Sequence, residues 1–181
     1  ASIGAPFVAA YTGFGTLIYA PAALWAVCRY GFPMNRLAFI CIVATGVLHL
    51  AYSLVLQRGY QVADLSVVYP VARGTGPLLS AIAAFTLLGE RVTLGAVAGG
   101  IFMLATGGRP KRLVDPAARE GVAWGGATGT LIAGYTVIDS WGAKVLGINP
   151  ILLEWCGNTL RFAFLLPSVF RDWAVFCARM R

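Results

Sequence analysis

Four groups of polar or charged residues stand inside runs that are otherwise apolar, and within each group the spacing is helical. Between Leu65 and Leu88, the residues Ser66, Tyr69, Arg73, Gly76 and Ser80 step by three and four, which makes one stripe along a helix. Arg73 falls about nine residues into that run, roughly 13 Å along at 1.5 Å per residue. A guanidinium at that depth in a bilayer cannot shed its proton, so it needs an anion or a set of carbonyls. The acids inside the apolar runs are Asp139 and Glu154. Pro70 and Pro77, with Gly74 and Gly76 between them, loosen the helix around Arg73, because each proline removes a donor and frees a carbonyl one turn earlier. Two readings stand side by side. Arg73 is a structural ion-pair or snorkelling residue, or it faces a cavity and meets an anionic substrate group. Irregular backbone at membrane depth normally lines a cavity, which favours the second. Val67 and Val71 fall on the other side of this helix and are expected to tolerate change.

The remaining groups are smaller. Glu154, Asn158 and Arg161 share a face at i, i+4 and i+7, so Arg161 has a built-in partner two turns away with Asn158 between. Tyr135 and Asp139 are again i, i+4, and His49 and Tyr52 share a face in the second run. Each has a plainer reading: Glu154 as an interfacial residue, Asp139 as a helix-end charge, His49 as a hydrogen-bonded bundle residue. Ionisable residues inside a membrane are costly and are functional candidates by default.

Enzymatic parts are missing. The single histidine leaves neither a zinc HExxH pair nor a serine–histidine couple, GxSxG is absent, and Asp139 has no second intramembrane aspartate beside it. No GxxxxGK[ST] phosphate loop is present. Cys28, Cys41, Cys156 and Cys177 are scattered, with no CxxC, so they support neither a zinc site nor a disulfide framework. The expectation is a protein that is not an enzyme and uses no cofactor and no metal.

The elements that must hold these residues follow from length and apolarity. Hydrophobic residues are 59% of the chain and charged residues 12%, about half the charge of a soluble domain; mean hydropathy is +0.76. The formal charge of +7 does not mark a nucleic-acid protein, because the basic residues sit at the ends of apolar runs. A helix needs about 20 mainly apolar residues to cross a bilayer. Six stretches approach that: Phe7–Cys28, Leu37–Gln57, Leu65–Leu88, Val92–Gly107, Gly121–Trp141 and Ile151–Phe170. Turn and charge signals separate them, at Arg29 to Arg36 with Pro33, at Arg58-Gly59-Tyr60, at Gly89-Glu90-Arg91 and from Gly142 to Pro150. The polar segment 109–120 is the natural boundary, with four spans before it in 1–108 and two after it in 121–181. Backbone groups in lipid must be satisfied internally, so the spans are helices. The fold class expected is all-α, a polytopic transmembrane bundle. Gly95 with Gly99, and Gly121, Gly125 and Gly129, predict close helix–helix faces.

An internal echo points to a repeat. The first run is entered at Gly4-Ala5-Pro6 and contains Pro21; the last is entered at Ile148-Asn149-Pro150 and contains Pro167. Such copies would be antiparallel, as in inverted-repeat transporters. Both ends of the chain read as cut, so a longer membrane protein is expected. Basic residues outside the runs divide eight to four in favour of the side bearing Arg58, Arg109 and Arg171, which would make that side cytoplasmic.

The run from Asp64 to Pro77, DLSVVYPVARGTGP, followed by Leu88-Gly-Glu-Arg91, resembles the EamA-type drug/metabolite transporter superfamily. His49 and Tyr52 leading into Gly59-Tyr60 and Asp64, and Ala133 to Asp139 after the polar loop, are similar to that family too. The resemblance implies ten spans in two inverted five-span repeats around a central cavity, of which this chain would hold spans two to seven. It also implies cavity-lining roles for Tyr69, Arg73, Tyr135 and Asp139. The resemblance puts the Arg29–Arg36 loop in the cytoplasm, the reverse of the charge count.

The function expected is that of a secondary transporter, an exporter of small organic metabolites or drugs, working by alternating access in the plasma or inner membrane. Its substrate-binding candidates are Arg73, Tyr69, Ser66, Tyr135, Asp139, Asn158, Glu154, His49 and Tyr52. Its partners are a small-molecule substrate and the lipid bilayer, with a homodimer as an option. A lipid-linked sugar flippase subunit, a non-catalytic membrane scaffold and a membrane-embedded enzyme are the alternatives.

Overall fold

The computed structural model describes residues 4–32, 35–89, 94–106 and 116–171. These form six helices: α1 (Gly4–Tyr30), α2 (Arg36–Val62), α3 (Leu65–Leu88), α4 (Leu94–Thr106), α5 (Pro116–Lys144) and α6 (Pro150–Arg171). Every described element is helical. Each of the six apolar runs coincides with one helix. Among the described residues two stretches are long and apolar enough to cross a membrane by length and composition, Phe7–Tyr30 and Arg36–Val62. At 24, 29 and 22 residues α3, α5 and α6 have the length. The 13 described residues of α4 fall short of the roughly 20 needed. Pro33, Glu90, Arg91, Thr93, residues 107–115, Cys177, Arg179 and Arg181 lie outside the described residues.

The helix ends use few residue types, each for a stated reason. Asn35 and Asn149 accept the main-chain N–H of Leu37 (3.0 Å) and Ile151 (2.9 Å), which supplies two of the orphan donors at the starts of α2 and α6. Gly89 closes α3 in the left-handed region, φ 65°, donating its N–H to the Ala84 carbonyl.

Several expected breaks are helical instead. Arg58-Gly59-Tyr60 continues α2, because Gly59 serves close approach rather than a turn. A Cβ there would sit 2.9 Å from Val68 Cγ1 and 3.1 Å from Trp124 Cβ. Residues 116–120, expected in the polar segment, form the first turn of α5. Pro116 suits that start, since its missing N–H would have no helical partner anyway. Gly142, expected in the separator after the fifth run, lies within α5 against Cys41. Pro21, Pro70, Pro77 and Pro167 all lie inside helices that run on through them. The backbone around Arg73 is therefore a continuous helix, not an interrupted one, and each proline costs it one hydrogen bond.

The chain divides into two compact units, residues 1–50 with 138–181, and residues 51–137. In the first, α1 packs along α6. Val8 and Ala9 meet Leu165 and Val169, while Ala23 and Ala26 meet Leu152. Trp155 donates its indole N–H to the Thr16 carbonyl at 3.0 Å. A further core gathers Ala38, Cys41 and Ile42 of α2 with Ile148 and Leu153. In the second unit α3 packs on α4 and on the glycine face of α5. Gly121, Gly125 and Gly129 receive Val67, Val71 and Thr75, one pair per turn, as the spacing predicts. The α4 expectation is corrected. Among the described residues nothing lies against Gly95 and Gly99, and the close contact is made by Gly100, where a Cβ would lie 2.6 Å from Leu78 Cγ and 3.2 Å from the Gly74 carbonyl. A four-residue glycine repeat marks a flat face but not whether a neighbour covers it. Hydroxyls inside both units bond their own helix, as Thr12 to Val8 and Thr128 to Trp124, which keeps them satisfied in apolar surroundings. Among the described residues no buried side-chain nitrogen or oxygen lacks a partner.

Candidate functional site

The first unit holds the densest polar chemistry, built on three helices. On α2, Thr45 and His49 lie one turn apart on one face. Thr45 is buried, and its hydroxyl donates to Oδ1 of Asp139 on α5. His49 Nδ1 lies 3.0 Å from the Thr45 carbonyl oxygen and 3.2 Å from its hydroxyl. His49 Nε2 lies 3.9 Å from Asp139 Oδ2, and the two side chains are 12% and 29% exposed. Apolar packing against Cys41 and Ile138, whose carbonyl accepts the Cys41 thiol at 3.6 Å, holds α2 and α5 in this register.

On α6 the expected i, i+4, i+7 face forms a closed triangle. Arg161 Nη2 donates to Glu154 Oε1 at 3.0 Å and to Asn158 Oδ1 at 2.6 Å. Asn158 Nδ2 donates to the same Glu154 oxygen at 3.2 Å, and Arg161 Nε reaches the Gly157 carbonyl at 3.3 Å. Arg161 is 7% exposed and Glu154 51%. A buried guanidinium needs this number of acceptors, since it cannot neutralise itself. Arg161 and Glu154 act electrostatically on both His49 and Asp139, so α2, α5 and α6 share one charged neighbourhood.

The second unit carries the stripe on α3. Ser66, Tyr69 and Arg73 are exposed, and the Arg73 guanidinium sits over the Tyr69 ring, 5.6 Å from its centroid, a cation–π arrangement. Gly76 departs from the stripe, for it is buried against Ile132 of α5. Tyr52 and Tyr135 meet edge to face, their centroids 5.6 Å apart. Val67 and Val71 do not face away into tolerant space. They fill the glycine face of α5, where a Cβ on Gly125 would lie 2.8 Å from Val71 Cβ.

The structure thus joins His49 with Asp139, Glu154 with Asn158 and Arg161, Tyr69 with Arg73, and Tyr52 with Tyr135. Thr45 is the residue that sequence reasoning missed. Its one signal is its place a turn before the only histidine, in Thr45-Gly-Val-Leu-His49. Among the described residues no group of three or more histidine, cysteine, aspartate or glutamate side chains is arranged to hold a metal ion. No protein-family model, curated protein or solved structure matches the chain.

Proposed function

We propose that this chain forms the central part of a multi-pass membrane transporter of the EamA-like drug/metabolite kind, a secondary exporter that moves small organic solutes by alternating access in a plasma or inner membrane. The observation that carries the reading is the charged neighbourhood of His49, Asp139 and Arg161, held within apolar helices. Burying such charge is expensive, and a purely structural bundle has no need of it. Two helices of bilayer length and strong apolarity support the membrane setting. The proline echo between α1 and α6, which pack on each other, supports an inverted repeat. The exposed Ser66, Tyr69 and Arg73 supply a polar face for solute, with Arg73 the point of contact for an anionic group.

The test uses cysteines at Ser66, Tyr69 and Tyr135 of the full-length protein in phosphatidylcholine–phosphatidylglycerol vesicles, with radiolabelled leucine, radiolabelled lysine and ethidium as probes. A bulky maleimide at any of these positions blocks movement of the transported probe. The same reagent at Ile82 or Leu87, which are exposed apolar positions on α3, leaves it intact. Equal sensitivity at both sets means that the stripe is a packing feature, and a scaffold role then becomes the better reading.

A further inference from the structure

His49, Thr45 and Asp139 are joined in a way that fixes where a proton goes. A carbonyl oxygen only accepts, so His49 Nδ1, 3.0 Å from the Thr45 carbonyl, must carry a hydrogen and donate it. The Thr45 hydroxyl has one proton, and it is directed at Asp139 Oδ1. The hydroxyl can therefore only accept from His49 Nδ1, which leads to the same tautomer. In the neutral ring the lone pair is then on Nε2, and Nε2 lies 3.9 Å from Asp139 Oδ2. An ionised carboxylate and a ring lone pair at this separation repel. One proton added to Nε2 turns that repulsion into an ion pair, which draws together to a charge-assisted hydrogen bond of about 2.7–2.9 Å.

We propose that His49 Nε2 and Asp139 Oδ2 form a binding site for a single proton, oriented by Thr45, and that this proton is the coupling ion of transport. The second clause rests on the transporter reading; the first is a property of the α2–α5 pair alone. Proton uptake places the hydrogen on Nε2 and converts a neutral imidazole beside a carboxylate into an imidazolium–carboxylate pair. Release returns it to water. Occupancy shortens the Nε2–Oδ2 distance by about 1 Å, the difference between 3.9 Å and a charge-assisted bond. Among the described residues, Arg161 and Glu154 of α6, which are bonded to each other, and Cys41 on α2 act electrostatically on the pair. Further out, α1 carries Tyr11 and Tyr19, with Cys28, Arg29 and Tyr30 at its end.

His49 is the only histidine in the 181 residues, so its ring nitrogens can be read without ambiguity. The chain is labelled with ¹⁵N-histidine, placed in phosphatidylcholine–phosphatidylglycerol nanodiscs, and followed by NMR from about pH 5 to about pH 9. The expected spectrum at alkaline pH has Nδ1 protonated and Nε2 bare, with Nε2 gaining its proton in one step on acidification. Asp139→Asn moves the midpoint of that step by about one pH unit or more. An Nε2–H tautomer in the unaltered chain overturns the site, as does a ring that stays unchanged over the whole range. So does an unmoved midpoint in an Asp139→Asn chain that inserts normally. A second arm traps pyranine inside vesicles and adds leucine, lysine or ethidium outside. Proton movement accompanying the transported probe supports coupling. Solute movement without it overturns coupling and leaves the transport reading standing. A normal NMR titration with no solute movement leaves the proton site in place and removes the transport reading.

Discussion

Thr45, Asn158 and Arg161 illustrate how a polar side chain survives inside an apolar helix: each is buried, and each has its hydrogen bonds accounted for. Arg161 is the clearest case. Asn158→Leu removes the acceptor at 2.6 Å and leaves part of a buried guanidinium unanswered. The cost expected is about 1–3 kcal/mol, read as a lowered midpoint of thermal unfolding in detergent. Replacing Arg161 by Met together with Glu154 by Gln costs less than removing Glu154 alone, because the uncompensated charge goes with its partner. Larger damage from the double replacement would mean that the triangle also braces the backbone. Arg73 differs, since it is exposed and rests on the ring of Tyr69. Asp139 and Glu154, its expected partners, are engaged by Thr45 with His49 and by Arg161 with Asn158.

At the scale of the element, glycine decides which helix faces touch. The seam of Gly121, Gly125 and Gly129 against Val67, Val71 and Thr75 is legible in the sequence, because small residues at four-residue spacing leave one side of a helix flat. Gly95 and Gly99 give the same signal but meet no neighbour among the described residues. Gly59 reads as a turn and is instead a point of close approach. Periodicity reports that a face is flat; only the fold reports what lies against it. Gly125→Ala therefore costs about 1–3 kcal/mol of stability through overpacking against Val71 and the Val68 carbonyl. Gly99→Ala is neutral or stabilising by up to about 1 kcal/mol, since Ala is the better helix former. Thermal unfolding of the two variants in one detergent compares them directly, and equal destabilisation would mean that α4 also buries its Gly99 face. The paired polar residues on α6 were legible for a related reason, since partners at i, i+4 and i+7 on one helix need no tertiary information. The Thr45–Asp139 link was not, because it joins residues 94 positions apart and a lone threonine carries no pattern.

For the molecule as a whole, the positions of the six described helices follow the six apolar runs of the sequence. Helix ends were less legible: α2 and α5 overrun their apolar cores into charged residues such as Arg58 and Arg119. In a lipid setting, single cysteines at Leu17 and Ile40, exposed on α1 and α2, stay silent toward a water-soluble maleimide in sealed vesicles. A cysteine at Arg119 labels when the reagent reaches its side of the membrane. Rapid labelling at Leu17 and Ile40 would place those faces in water and remove the bilayer from the account. The most direct measurement of the central claim is the initial rate of leucine, lysine and ethidium movement into vesicles that hold the full-length protein. At least one probe moves faster than into empty vesicles, Arg73→Ala and Asp139→Asn abolish that excess, and Arg73→Lys restores little of it because the planar fork is lost. Undiminished movement in both the Ala and Asn variants, at normal levels of insertion, would contradict the claim that these intramembrane charges serve transport.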